Sequence, residues 1–266
     1  MTRPTAPTTP TMSTPPPGTP PVLWKVYLAF LVPMIFSNIL QALSGTVNNI
    51  YLGQMLGVGA MASVSAFFPV LFFLIAFMIG LGSGAAVLIG QAWGAKELDR
   101  VKAIAGTTLM VGLGAGRVVA VVGGAFTGPM LRALGTPADI LPGATAYARI
   151  MLIAAPGIFL FLLVTSMLRG VGDTKTPLKT LLISTAIGLL VTPALIQGWG
   201  GLPRMGVASG AYAAVVSYVV ALGWTAWYLL RKNHALAPDA ALRKHLRIDR
   251  PILAKVLRIG LPTEAS

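Results

Sequence analysis

The sequence predicts an all-α integral membrane protein, a six-transmembrane-helix bundle with both termini cytoplasmic. Three observations carry this reading. Hydrophobic residues make up 55% of the 266 positions and charged residues only 10%, against about a quarter charged in a soluble domain. The charges are segregated: none lies between Lys25 and Lys96, Arg149 and Arg169, Lys179 and Arg204, or Arg204 and Arg231. The apolar runs are long and lack an alternation of period two, so helices rather than a barrel must satisfy the backbone in hydrocarbon.

A helix needs about 20 apolar residues to cross about 30 Å of bilayer. The gaps between charges supply six such spans, at 24–50, 58–90, 101–127, 145–168, 177–198 and 206–230. The first two are separated by a glycine-rich turn, Gly53-Gln54-Met55-Leu56-Gly57. Thr136-Pro137-Ala138-Asp139 precedes the fourth span, with Asp139 placed as a capping-box acid, and Thr176-Pro177 opens the fifth as a cap followed by a first-turn proline. Gly57 to Ala62, Gly80 to Ala85 and Gly112 to Gly116 are rich in glycine. The first two match a dinucleotide fingerprint formally, but without a preceding soluble strand they read as sites of close helix packing. Pro33, Pro69, Pro156 and Pro193 fall in or near span interiors, as hinges or as static bends.

The ends differ from the middle. Residues 1–22 form a Pro/Thr-rich tail, with eight prolines and seven threonines in the first 21 positions, and are expected to be disordered. Residues 23–230 form the six-helix lobe, 231–254 a basic cytoplasmic linker, and 255–266 the start of a seventh helix. The linker region holds both histidines, His234 and His245, which read as solvated.

Counting Lys and Arg by side gives sixteen on the face shared by the termini and three, Arg132, Arg149 and Arg204, on the other, with Arg117 alone inside a span. This places both ends in the cytoplasm and the chain in the plasma (inner) membrane. The net charge of +13 then reflects topology and anionic inner-leaflet lipid, and nucleic acid drops out as a partner. Zero cysteines and two histidines exclude thiol chemistry and leave no catalytic or metal cluster, so no enzyme and no cofactor is expected.

Candidate functional residues are the polar ones at membrane depth. Asn38, Gln41, Gly45 and Asn48 are spaced three, four and three, on one face of the first helix, either lining a cavity or bonding between helices. Phe67, Phe68, Phe72, Phe73 and Phe77 with the eleven methionines offer either an adaptable wall for a ligand or ordinary packing. Arg117 in the third span needs a partner, and none of the seven acids lies in the six spans. It faces a cavity, an anionic substrate group or another lobe's carboxylate, or it snorkels on the lipid side.

Three motifs resemble one family. Val47 to Gln54 followed by Leu56-Gly57 and Ala60 to Ser65, then Gly90-Gln91-Ala92-Trp93-Gly94-Ala95-Lys96, then Leu168 to Pro177, are similar to the first, second-to-third and fourth-to-fifth helix loops of multidrug and toxic compound extrusion (MATE) transporters. The resemblance covers about residues 24–266. It implies one lobe of a two-lobe, twelve-helix fold that exports small organic cations against protons or sodium ions by alternating access. It also adds Thr192 to Asn38, Gln41 and Asn48 as cavity-lining positions, with Arg117 as a possible charge partner. Where the family often has an aspartate this chain has Asn48, and where one branch has an asparagine and an aspartate it has Gly188 and Thr192. These departures weigh against proton coupling through this lobe.

Lys255 to Pro262 resembles the start of the first helix, as expected where a second repeat begins. The remaining chain is too short for a seventh span, so the chain reads as an N-terminal lobe that needs a second lobe, or as a homodimer. A lipid-linked saccharide flippase and a nonfunctional or structural membrane fragment are the alternative functions. The topology has a direct check. Cysteines introduced singly at Lys96, Lys175 and Lys244 resist an impermeant thiol reagent applied outside intact cells, and labelling at any two would overturn the orientation.

Overall fold

The computed structural model describes residues 20–199, 204–246 and 248–260. Its elements are α1 (Pro20–Leu56), α2 (Val58–Ser65), α3 (Phe68–Gly94), α4 (Leu98–Val118), a π-helical turn (Val119–Gly123), α5 (Gly124–Ala133), α6 (Leu141–Ile153), α7 (Ala155–Gly170), α8 (Lys175–Gln197), α9 (Ala208–Arg231), α10 (Ala240–Lys244) and α11 (Arg250–Gly260). No strand occurs among the described residues. Five segments, Tyr27–Leu56, Phe68–Gly94, Leu98–Ala133, Lys175–Gln197 and Ala208–Arg231, are long and apolar enough to cross a membrane. The sixth is the pair α6 and α7, bent by 56°. The all-helical, membrane-spanning architecture expected from the charge gaps is therefore present, with the fourth span broken. The expected tail over 1–22 falls mostly outside the described residues.

Local chemistry explains the breaks. Gly57 takes φ +85, so α1 ends at Leu56 and the predicted five-residue turn contracts to this one glycine. Gly53 stays helical because its task is packing: a Cβ there would lie 2.6 Å from the Met61 sulfur. Pro69 and Pro156 sit in the first turns of α3 and α7, where a missing N–H is harmless. Pro33 and Pro193 stay inside α1 and α8. Beside Pro33, the Ser37 hydroxyl donates to the Pro33 carbonyl at 2.7 Å.

Two capping expectations are corrected. The α8 N-terminus is capped by Asp173, whose Oδ1 accepts from the backbone N–H groups of Lys175 at 3.1 Å and Thr176 at 3.0 Å. Thr176 instead donates its hydroxyl to Asp173 Oδ2 at 2.5 Å. A carboxylate serves this helix end better than a hydroxyl because it also answers the dipole. Asp139 does not cap α6, which begins at Leu141 without a side-chain cap.

α3 packs on α4 and α7, α8 packs on α1 and α9, and α6 packs on α2, α5 and α9. One core joins Leu81, Ile89, Val101, Ile104, Leu163 and Leu168; a second joins Leu52, Phe67, Leu131, Tyr147, Leu152 and Ile196. Glycines allow the closest crossings: Gly112 meets the Leu163 side chain, and a Cβ on Gly116 would lie 2.6 Å from Pro156 Cα. Phe72 and Phe73 point away from both cores, 74% and 72% exposed.

The basic segment after α9 is more ordered than a polar linker implies. Leu236, Ala237, Leu242 and Val256 are buried in the first core. α11 lies along α3, with Gly84 against the Val256 carbonyl and Gly260 against the Gly80 carbonyl. Lys102 pairs with Asp239 at 2.8 Å. His234, read from sequence as solvated, is half-buried: its Nδ1 accepts from the Leu236 N–H at 3.2 Å and its Nε2 lies 3.8 Å from Asp173 Oδ2. Burial pushes the His234 imidazole below its ordinary value of 6.5, and Asp173 opposes that only in part. A histidine held neutral by folding binds its proton more tightly when unfolded, so its cost to stability begins as pH falls through about 6.5. The melting temperature in detergent therefore falls from pH 7.5 to 5.5, and His234→Gln flattens that slope. An unchanged slope in the variant would remove His234 from this role.

Candidate functional site

A cavity of about 270 Å³ lies inside the lobe, walled by α1, α8 and α9 and closed by α3, α6 and α7. α1 contributes Gln41, Ser44, Gly45, Asn48 and Asn49, whose spacing of three or four with neighbours puts them on one helical face. α8 contributes Ser184, Thr185, Gly188 and Thr192 by the same periodicity. The space exists because two positions lack side chains. A Cβ on Gly45 would meet nothing within 4 Å, and one on Gly188 would meet the Ser217 hydroxyl at 3.3 Å.

The polar groups reach across the helix interface. Thr192 Oγ1 donates to Asn48 Oδ1 at 3.3 Å, joining α8 to α1 over the cavity. Ser217 Oγ donates to the Ala213 carbonyl at 2.6 Å, which leaves its lone pairs free toward the cavity. Tyr147, Phe161 and Tyr218 close the sides: Phe67 backs Tyr147 edge-on at 6.2 Å, and Phe161 tilts over Tyr218 at 4.8 Å. No acid, lysine, arginine or histidine lines this space, and no group of three His, Cys, Asp or Glu suited to a metal occurs among the described residues. The cavity therefore offers amide and hydroxyl hydrogen bonds with aromatic faces, and no titrating group near neutral pH.

Of the residues singled out from sequence, the structure brings Gln41, Asn48 and Thr192 together at this cavity. Asn38 does not line it and is exposed on α1 one turn earlier. Arg117 does not line it either. It sits exposed on α4 in a stripe with Val118, Val121 and Val122. Among the described residues Arg117 forms no ion pair. Sequence reasoning missed Ser44, Asn49, Ser184, Thr185 and Ser217. The available signal was the run of small and hydroxyl residues on one face of the fifth span.

The comparisons agree with this geometry. The MatE family model matches residues 33–194. A probable multidrug resistance protein of Bacillus subtilis, YoeA, is 43% identical over 91% of this chain, which spans 52% of that protein. The multidrug export protein MepA of Staphylococcus aureus is 23% identical over 90% of the chain, again 52% of the relative. Among solved structures, a MATE protein in complex with MaD3S superposes with a TM-score of 0.79 at 28% identity, covering 90% of this chain and 52% of that one. A transporter of the MOP superfamily from Pyrococcus furiosus gives the same TM-score, 0.79, at 26% identity. The chain thus spans about half the length of the relatives it matches. With a family match over more than half its length and the six-span lobe of the solved transporters, the chain belongs to the MatE family.

Proposed function

We propose that this chain supplies one lobe of a multidrug exporter, which moves small organic cations out across the plasma membrane in exchange for an inward ion and rocks against a second six-helix lobe. The observation that supports this best is the neutral polar cavity between α1, α8 and α9. Polar side chains at membrane depth are costly unless they face protein, water or a solute, and here they surround open space. Amide and hydroxyl groups beside Tyr and Phe rings suit varied cations, because ring faces attract positive charge and no fixed carboxylate selects one geometry. Transport rather than catalysis fits the donor set.

Antiport needs a group whose charge or ligation changes between states. The cavity holds no carboxylate, so proton exchange falls to acids outside it, in the partner lobe. Gln41, Asn48 and Thr192 hold and orient the solute, and Asn38, exposed on α1 one turn before the cavity, and Arg117 on α4 act outside it.

Export has a two-arm test. In a pump-deficient host the 266-residue chain alone leaves accumulation of a cationic dye unchanged, whereas residues 24–260 joined to the second half of the Bacillus subtilis relative lower it. A membrane-inserted chimera that never lowers dye levels, beside a parent that does, would sink the export reading. Efflux by the chain alone would point to a homodimer. In the exporting chimera, Asn48→Asp places a carboxylate among neutral donors, which costs about 2.5 kcal/mol or more at this depth if it ionises. Efflux against an imposed pH gradient is expected to stay level or fall. A several-fold gain would show that α1 carries an intact proton path.

A further inference from the structure

At the end of the lobe remote from the 95–97 and 171–174 loops, α5 and α6 line a second, open cleft of about 380 Å³, where Arg132 and Arg149 are exposed and whose chemistry is opposite to that of the central cavity. Its floor is small: Gly128, where an added Cβ would meet nothing within 4 Å, and Ala146. Its polar wall is Arg132 from α5, with Thr145 and Arg149 from α6. Gly128 and Arg132 are four residues apart, and Pro142, Thr145, Ala146 and Arg149 follow at three, one and three, so each set occupies one helical face.

Two guanidinium groups on one cleft repel each other unless an anion lies between them. Among the described residues neither Arg132 nor Arg149 pairs with a carboxylate, whereas at the other end Arg100 pairs with Glu97 at 2.9 Å and Lys102 with Asp239 at 2.8 Å. The face is otherwise poor in cations. Of the three basic residues that charge counting assigns to it, two line this cleft. Their meeting is therefore not the by-product of a basic surface.

We propose that this cleft binds the phosphate of an anionic phospholipid headgroup. Phosphate oxygens match the planar fork of arginine donors, and the Thr145 hydroxyl adds a third donor. Lipid is favoured over a soluble anion by position. Arg149 lies eight residues past Leu141, at the start of α6, about 12 Å along the helix at 1.5 Å per residue. The same two helices and their flanks expose Phe126, Leu134 and Ile153 at 62%, 52% and 56%, a surface for acyl chains beside the headgroup.

The test uses the full chain in mild detergent, with lipid adducts counted by native mass spectrometry after incubation with phosphatidylglycerol or phosphatidylcholine. The wild type retains phosphatidylglycerol over phosphatidylcholine, and the Arg132→Gln, Arg149→Gln double variant loses at least about tenfold of it, the scale of one charge-assisted hydrogen bond. Gly128→Leu places an apolar side chain in the cleft from a position where the first added carbon meets nothing within 4 Å, and it loses retention comparably while the melting temperature holds. Equal retention by all three proteins would overturn the proposal. Displacement of the lipid by millimolar inorganic phosphate would also overturn it, by reassigning the cleft to a soluble anion.

Discussion

Hydrocarbon supplies no hydrogen-bond partner, so every backbone N–H and carbonyl in this lobe must be satisfied from within the chain. The interruptions show how strictly that holds. The chain breaks its helices where a proline falls in a first turn, as at Pro69 and Pro156, or where one glycine turns back at Gly57. It passes through a π-helical turn at Val119–Gly123 without leaving helical geometry. Hydroxyl side chains obey the same rule by bonding back to their own helices, as Thr108 does to Ile104 and Thr165 to Phe161. Gln41, Asn48 and Asn49 on α1, whose amides cannot be satisfied in this way, line the central cavity.

The charged ends follow a different logic. Asp173 closes the first turn of α8 and faces His234, while Lys102 holds Asp239, so the loops on that side are stitched to the segment after α9. The opposite end has few charges, and two of them meet on one cleft. On one side cation placement fastens protein to protein, and on the other it leaves guanidinium groups without a carboxylate partner among the described residues.

Much of this was legible in the sequence, for physical reasons. Charge gaps fix spans because a buried ion is too costly to place casually, and α8 and α9 fall within two residues of where those gaps put them, whereas the span expected at 58–90 is divided into α2 (Val58–Ser65) and α3 (Phe68–Gly94). The sequence marks four prolines as sites of bending, Pro156 among them, but does not tell a proline that restarts a helix, as Pro156 does, from one that stays inside it, as Pro33 and Pro193 do. Asn48 and Gln41 were found by helical period. Asn38 shares that period but lies beyond the end of the cavity, which spacing along α1 alone does not reveal. Ser184 and Ser217 were missed because serine in a membrane helix ordinarily satisfies itself on its own backbone, as Ser217 does with Ala213. His234 was misread because its burial depends on a segment that folds back onto α4 and onto Asp173 in the loop before α8, a contact with no local signature.

The meeting of Gly116 with Pro156 has a mechanical consequence. The bend between α6 and α7 has the angular form of a hinge, yet α4 leaves no room beside it even for a methyl group. Closely packed interiors resist compression and transmit strain. An elbow braced in this way is stiff, and it passes displacement from one end of the fourth span to the other instead of absorbing it. The brace makes the two halves of the fourth span, Leu141–Ile153 and Ala155–Gly170, one packed unit with α4.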